Sequence, residues 1–272
     1  MIKKMNLFRT NEIEITDVIN DFLFCLLNVV GSDNIVVKGC VALTAAANKY
    51  DVSCKRGTRD LDLQNLNYEK WNNFKNNFND INKFSKLGLI YSLEKCVSKG
   101  EPVAYEKLTV VAKQEGSLFK FSVDVQISDF NYKKEIYNIY TLDFDGSAVE
   151  TMLADKLNAI KDRTIFRRAK DIYDIYLIST MKKFHLVELV DIIEKKRDLK
   201  CDNVALLDLN NLNDIAHAYN KLTSRSYEKL PEFDEVYHKV VSFVVPIFDS
   251  INGKVNYDMF WDGREWNYVT KL

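Results

Sequence analysis

Proline is scarce in this 272-residue chain, at three residues, and glycine is thin at nine. No stretch rich in Pro, Gly or Ser marks a linker, and no segment repeats, so neither tethered modules nor a solenoid is expected. Cysteine is sparse too. Cys25, Cys40, Cys54, Cys96 and Cys201 form no Cys-x-x-Cys pair and leave an odd count. That argues against a disulfide framework or a zinc module and fits reduced thiols in a cytosolic protein. The three histidines are scattered too widely for a metal cluster. Excess charge of either sign is missing, since 38 basic residues face 39 acidic ones. The whole-chain field therefore neither predicts nor excludes a nucleic-acid partner; only a local patch can do so. Long apolar runs are absent as well. Phe22–Val30 is too short to span a bilayer and lies between Asp21 and Asp33. Glu12 and Glu14 ahead of it do not suit a signal peptide. A cytoplasmic protein with no membrane partner is expected.

What the chain does have is core material, with 47% hydrophobic and 12% aromatic residues. That is ample for one large domain or two of ordinary size. Its most telling stretch is Arg56–Gln64, which reads Arg-Gly-Thr-Arg-Asp-Leu-Asp-Leu-Gln. Alternate side chains of a strand point to opposite faces. Asp60 and Asp62 would thus share one face while Leu61 and Leu63 enter the core. Two adjacent carboxylates repel, and a hard divalent cation such as Mg²⁺, bound together with substrate phosphates, relieves that repulsion. The solvent face of an amphipathic strand gives the same pattern, so the rest of the chain must decide between a metal-bound phosphoryl-transfer site and an ordinary surface.

Taken in order, residues 16–31 read as a helix capped by Thr16 and ended by Gly31. A short buried strand within Asn34–Gly39 runs through Lys38-Gly39-Cys40 into a helix of small residues. That geometry leaves backbone N–H groups free at a helix start, where a phosphate can bind. A polar helix is predicted over Tyr68–Phe84, with Trp71, Phe74 and Phe78 inward. Strands are predicted at Leu89–Leu93, Tyr105–Ala112 and Leu118–Ile127, the last two forming a hairpin at Gly116-Ser117. On the third strand the apolar set Phe119, Phe121, Val123, Val125 and Ile127 alternates with Lys120, Ser122, Asp124 and Gln126. Asp124 can complete a three-carboxylate set if its strand neighbours the first.

Beyond Asp143 the pattern becomes helical. Ser147-Ala148-Val149-Glu150 has the form of a capping box, and its helix presents Lys156. A helix over Phe166–Met181 carries Arg167, Arg168, Lys170, Asp171 and Asp174, with Asp171 and Asp174 on one face and Arg167–Asp171 an i,i+4 pair. Further helices are expected at Leu186–Lys195, Leu212–Leu222 and Glu232–Val245. A tail hairpin is expected over Tyr257–Val269, turning at Asp262-Gly263. Lys182-Lys183 and Lys195-Lys196-Arg197 add local basic charge.

The order of these parts resembles the AbiEii/AbiGii family of nucleotidyltransferase toxins, which includes the MenT group and belongs to the DNA-polymerase-β-like nucleotidyltransferase superfamily. The resemblance spans roughly Val36 to Ile178. It implies an α/β (α+β) fold, with a mixed, curved sheet and flanking helices in a nucleotidyltransferase core (residues 1–145). A mainly helical half (146–272) would close the active-site cleft. It implies Asp60, Asp62 and Asp124 as ligands of a two-metal Mg²⁺ site. Lys38, Gly39, Cys40, Thr58, Lys156 and Asp174 become nucleotide-binding positions, Lys156 and Asp171 catalytic ones, and Lys120 a motif position with no assigned role. Asp124 can also accept the acceptor's proton. The implied activity is transfer of NMP from an NTP to an acceptor hydroxyl, on an RNA and particularly the 3′ end of tRNA, as the toxin of a type IV toxin–antitoxin or phage-defence pair. A separately encoded AbiEi-like antitoxin is the implied partner. Arg163, Arg167, Arg168 and Lys170 form the basic cluster that could track RNA phosphates. A nucleotidyltransferase acting on a small molecule such as an antibiotic, and a catalytically silent binding module, remain the alternatives.

Overall fold

The computed structural model describes residues 13–55, 57–161, 164–223, 229–254 and 258–269. Helix α1 (Ile15–Val30) buries Val18, Phe22, Cys25 and Leu26 at helical spacing and ends at Gly31. Thr16 lies inside it rather than capping it. Glu14 holds the N-cap and exchanges side-chain bonds with Asp17 in a reciprocal box. Strand β1 (Ile35–Lys38) passes directly into α2 (Gly39–Lys49), and β2 (Asp60–Asn65) follows. The expected helix over Tyr68–Phe84 is two pieces, α3 (Tyr68–Asn76) and a 3-10 turn, Phe78–Lys83. Three longer strands come next: β3 (Ile90–Lys99), β4 (Tyr105–Gln114) and β5 (Ser117–Ile127).

Two strands, β6 (Lys134–Ile139) and β7 (Leu142–Ser147), were not anticipated from the sequence. Their presence overturns the capping box. Ser147 pairs with Lys134 in the β6–β7 ladder, and Ala148 takes the N-cap of α4 (Val149–Ile160). Glu150 is drawn instead to Lys133 and Lys182, each 2.8 Å away.

The seven strands form one mixed sheet in the order β3-β4-β5-β2-β1-β7-β6. β2 runs parallel to β5 and β1 parallel to β7, while the other pairs are antiparallel. The remainder is mainly helical: α5 (Ala169–Met181), α6 (Leu186–Lys196), α7 (Leu212–Thr223) and α8 (Phe233–Ile251). α5 starts later than expected because Ile165–Arg167 forms a 3-10 turn ahead of it. α8 continues past Pro246 because Ile247, Phe248 and Ile251 extend its buried stripe, which outweighs the backbone bond proline removes. A small sheet joins β8 (Phe184–His185) to β9 (Met259–Trp261) and β10 (Trp266–Tyr268). The connection between β9 and β10 has four residues, not two. Asp262 Oδ1 accepts N–H bonds from Arg264 (2.8 Å) and Glu265 (3.0 Å), so an Asx-type loop replaces the expected tight turn at Asp262-Gly263. Tyr257, the expected start of this hairpin, lies outside the described residues. Trp261 is fully buried against Phe243 and donates its indole N–H to the Ser179 carbonyl at 2.8 Å. Among the described residues, no helix is long and apolar enough to cross a membrane.

Candidate active site

The site is written in the register of four strands. Lys38 on β1 stands opposite Asp62 on β2, Asp62 opposite Asp124 on β5, and Asp124 opposite Lys107 on β4. Registered neighbours emerge on the same face of a sheet. The result is a row of lysine, aspartate, aspartate and lysine, with Asp60 two residues away on the same face of β2. Leu61, Leu63, Val123 and Val125 are buried on the opposite face. A slip by one residue would bury the carboxylates and expose these four side chains, so core burial fixes the row.

Gly39 brings the start of α2 against this row. Its φ is +61°, in the left-handed region, and a Cβ there would stand 2.0 Å from Asp62 Oδ2. Only glycine relieves both constraints. The helix N-terminus and the Asp62 carboxylate thus come closer than any side chain would allow. Cys40, in the first turn, is buried.

Each carboxylate has its own partners. Thr58 Oγ1 lies 2.9 Å from the Asp60 carbonyl and 3.0 Å from Asp60 Oδ1. It is buried, so its hydroxyl steadies Asp60 rather than facing open space. Asp124 accepts from Lys107 Nζ at 2.9 and 3.0 Å and from the Tyr105 hydroxyl. Lys38 Nζ donates to Gln126 Oε1 at 2.6 Å. Burial, then repulsion from Asp60 and Asp124, pushes the Asp62 carboxyl above the usual range against the pull of Lys38 and Lys156. Burial lowers the Lys38 ammonium, with Asp155 and Asp62 opposing. The Tyr105 hydroxyl is pushed up to about 12, chiefly by its bond to Asp124.

Among the described residues, no group of three or more His, Cys, Asp or Glu side chains is placed to hold a metal ion. Thr58 bonds Asp60, and Tyr105 and Lys107 bond Asp124. The donor chemistry nevertheless fits a hard divalent ion, because all three groups offer carboxylate oxygen. Burial first, and then the crowding of like charges, raises Asp62.

Helix α4 closes one side. Met152, Asp155 and Lys156 lie at i, i+3 and i+4, and all three line a cleft of about 260 Å³ with Lys38, Gly39, Asp62, Tyr105, Asp124 and Gln126. Lys156 Nζ is anchored by Asp171 (2.9 Å) and Asp174 (2.7 Å), neighbours on one face of α5. Burial works against its charge, but Asp174 and Asp171 outweigh that and hold it above the usual lysine range. Asp171 and Asp174 do not themselves line the cleft. A larger cleft of about 830 Å³ lies between residues 201–211 and the end of α8. None of the sequence-predicted site residues line it, so size alone does not identify the chemistry.

Other predicted positions fall away from the row. Lys120 pairs with Glu94 at 2.6 Å. Asp171 is met by Arg168 at 4.0 Å, rather than by Arg167 as the spacing suggested. Arg167 lies over the Phe166 ring and, with Lys170, lines a separate cleft of about 560 Å³ against α7. Arg163 lies outside the described residues. Tyr105, Lys107, Gln126 and Asp155 were missed from sequence. The hairpin turns at Glu115-Gly116, one residue before the expected Gly116-Ser117, and counting seven residues out from Gln114 and Ser117 pairs Lys107 with Asp124.

A family model described as the nucleotidyl transferase AbiEii toxin of type IV toxin–antitoxin systems matches residues 21–239. Two solved structures from Helicobacter pylori share the fold, each at 14% identity. JHP933 gives a TM-score of 0.54, with 88% of this chain and 94% of that one covered. A candidate nucleotidyltransferase gives 0.52, with 90% and 100% covered. Comparison with curated proteins gives no match.

Proposed function

The chain belongs to the AbiEii nucleotidyltransferase toxin family, and from that premise we propose that its cleft transfers NMP from an NTP to a hydroxyl of RNA, with the 3′ end of tRNA as the favoured acceptor. The observation that carries this reading is the Lys38–Asp62–Asp124–Lys107 row with Gly39 pressed against Asp62. The acceptor oxygen bonds to the α-phosphorus, the bond from that phosphorus to the α–β bridging oxygen breaks, and pyrophosphate and a proton leave. Asp60, Asp62 and Asp124 would hold two Mg²⁺ ions, which when bound supply Lewis acidity at the reacting phosphate.

The chain's own residues do the rest. Gly39 and Cys40 offer backbone to the phosphates at the start of α2. Lys38 and Lys156, both lining the cleft, offset the charge of the leaving pyrophosphate. Asp171 and Asp174 are positioning residues that fix the Lys156 ammonium, and Thr58 fixes Asp60. Tyr105 and Lys107 govern Asp124, which we also assign to receive the acceptor proton. Residues 1–145 act as the catalytic core and 146–272 as the helical half that closes over the nucleotide.

Family membership implies a cognate antitoxin and a nucleotide substrate; an AbiEi-like protein encoded separately is the partner we propose, in a cytoplasmic phage-defence pair. RNA as acceptor draws support from Arg168, which meets Asp171 at 4.0 Å, and from Arg167 and Lys170, which line the separate cleft against α7. The test is pyrophosphate release from each NTP, with RNA or with small hydroxyl acceptors, over a salt series. RNA-dependent release that falls steeply with salt and vanishes in Asp62→Asn and Asp124→Asn supports the reading. Salt-insensitive release with a small acceptor refutes the RNA assignment.

A further inference from the structure

Lys195, Lys196 and Arg197 read in sequence as one surface charge run. The structure separates them. Lys195 pairs with Asp191 on the exposed face of α6 (2.7 Å), whereas Lys196 and Arg197 turn to α4 and meet at Asp155. Asp155 lines the same cleft as Asp62 and Lys156. The two cations differ in kind. Lys196 Nζ donates to Asp155 Oδ2 (2.6 Å) and to the Thr151 carbonyl (3.0 Å), with its side chain only 4% exposed. It is a fixed strut between α6 and α4. Arg197 is the C-cap residue of α6, its side chain is 48% exposed, and its Nε (3.2 Å) and Nη2 (2.9 Å) both fork onto the single oxygen Oδ1.

A guanidinium binds most strongly when two N–H groups meet two separate anionic oxygens. On Asp155 that geometry is unmet, because Lys196 takes the other oxygen. A bare carboxylate would also repel the polyphosphate this cleft is read to accept. Lys196 alone neutralises Asp155, so Arg197, which does not itself line the cleft, is surplus positive charge held on a residue that does. Lys38 lies within electrostatic reach of Asp155, Lys196 and Arg197, which places the group beside the sheet row.

We propose that Arg197 selects triphosphates. It rests on Asp155 and passes its guanidinium to the β- and γ-phosphoryl oxygens of a nucleoside triphosphate in the cleft, leaving Lys196 to hold Asp155. This rests on the nucleotidyltransferase reading and adds a residue from outside its sequence motifs. Because the terminal phosphates are the target, Arg197 discriminates triphosphate from monophosphate.

The test is calorimetric titration of the full chain, with Mg²⁺, using non-hydrolysable triphosphates of the four nucleosides and the matching monophosphates. Arg197→Ala is expected to weaken triphosphate binding about tenfold and leave monophosphate binding and the melting temperature unchanged. Arg197→Lys should fall between the two. Asp155→Asn loosens the resting contact, so it should tighten triphosphate binding in the wild-type background and lose that effect when Arg197 is alanine. Unchanged triphosphate affinity in Arg197→Ala, or equal weakening for both ligand classes, overturns the proposal. A folded wild-type protein that binds no triphosphate overturns the nucleotidyltransferase reading as well, so the two failures are distinct.

Discussion

Replacing Gly39 with alanine separates a backbone penalty from a displaced carboxylate. Holding an L-residue in the left-handed region costs roughly 1–2 kcal/mol. In a chain of this size each kcal/mol lowers the melting temperature by roughly 2–4 °C, so a fall of about 2–8 °C is expected. Gly88 has nearly the same φ, +67°, with nothing within 4 Å of its virtual Cβ. Gly88→Ala therefore carries the same backbone penalty and no collision. At Gly39 the new Cβ would lie 2.0 Å from Asp62 Oδ2, so that carboxylate must move by roughly an ångström or more to regain ordinary contact. Asp62 Cγ (2.9 Å) and Cβ (3.1 Å) are crowded as well, so the whole side chain must swing and its strand must give slightly, which adds to the melting loss. The movement is expensive in function, since a misplacement of that size lowers rates on the order of a hundredfold. Thermal melts and nucleotide transfer on both variants read the two effects separately. A larger melting loss in Gly39→Ala than in Gly88→Ala, with activity lost only in Gly39→Ala, is the expected result. Gly39→Ala that transfers as well as Gly88→Ala refutes the role assigned to the Gly39–Asp62 contact.

Lys156→Ala strips the cation from Asp171 and Asp174, whose side chains are 6% and 0% exposed. A loss of about 3–5 kcal/mol in urea denaturation is expected, largely restored by adding Asp171→Asn and Asp174→Asn, while transfer stays low. A single-variant loss below about 1 kcal/mol would remove the structural half of that claim. Lys107→Met frees Asp124 from a competing ammonium, so the Mg²⁺ concentration for half-maximal transfer should fall a few-fold; an unchanged requirement counts against Asp124 as a ligand. Glu106 is buried and accepts from Trp71 Nε1 (2.6 Å), Lys75 (2.6 Å) and Ser98 (3.0 Å). Burial alone would raise its carboxyl, yet these bonds hold it below the usual glutamate range. The unfolded chain therefore binds this proton more readily, and the stability Glu106 contributes is full above the ordinary glutamate value and lost as pH falls through the folded one. Denaturation from about pH 6 to about pH 3 should decline more steeply for the wild type than for Glu106→Gln; equal slopes would contradict the assignment.

The carboxylate strand was legible because period-2 alternation with leucine fixes both faces at once, and Leu61 and Leu63 are indeed buried. Strands β6 and β7 were not. β6 is an outer strand with Ile136 63% exposed and only Tyr137 and Ile139 turned to the core, and Leu142–Ser147 holds two aspartates and a glycine that favour turns. Ser147-x-x-Glu150 satisfied a local helix signal, but distant Lys133 and Lys182 claimed the glutamate. The same limit hid Asp155, whose partners Lys196 and Arg197 lie over forty residues away. Lys107 opposite Asp124 follows from the hairpin register only with the turn at Glu115-Gly116; the expected Gly116-Ser117 turn would have set Lys107 against Gln126. Local pattern identifies elements; long-range ion pairing does not announce itself in it.

The most direct test is incubation of purified protein with total RNA, Mg²⁺ and each α-labelled NTP in turn, beside an Asp60→Ala/Asp62→Ala control. Label on a tRNA-sized band, absent from the control, is the predicted result. A folded protein that labels no RNA with any of the four nucleotides contradicts the account.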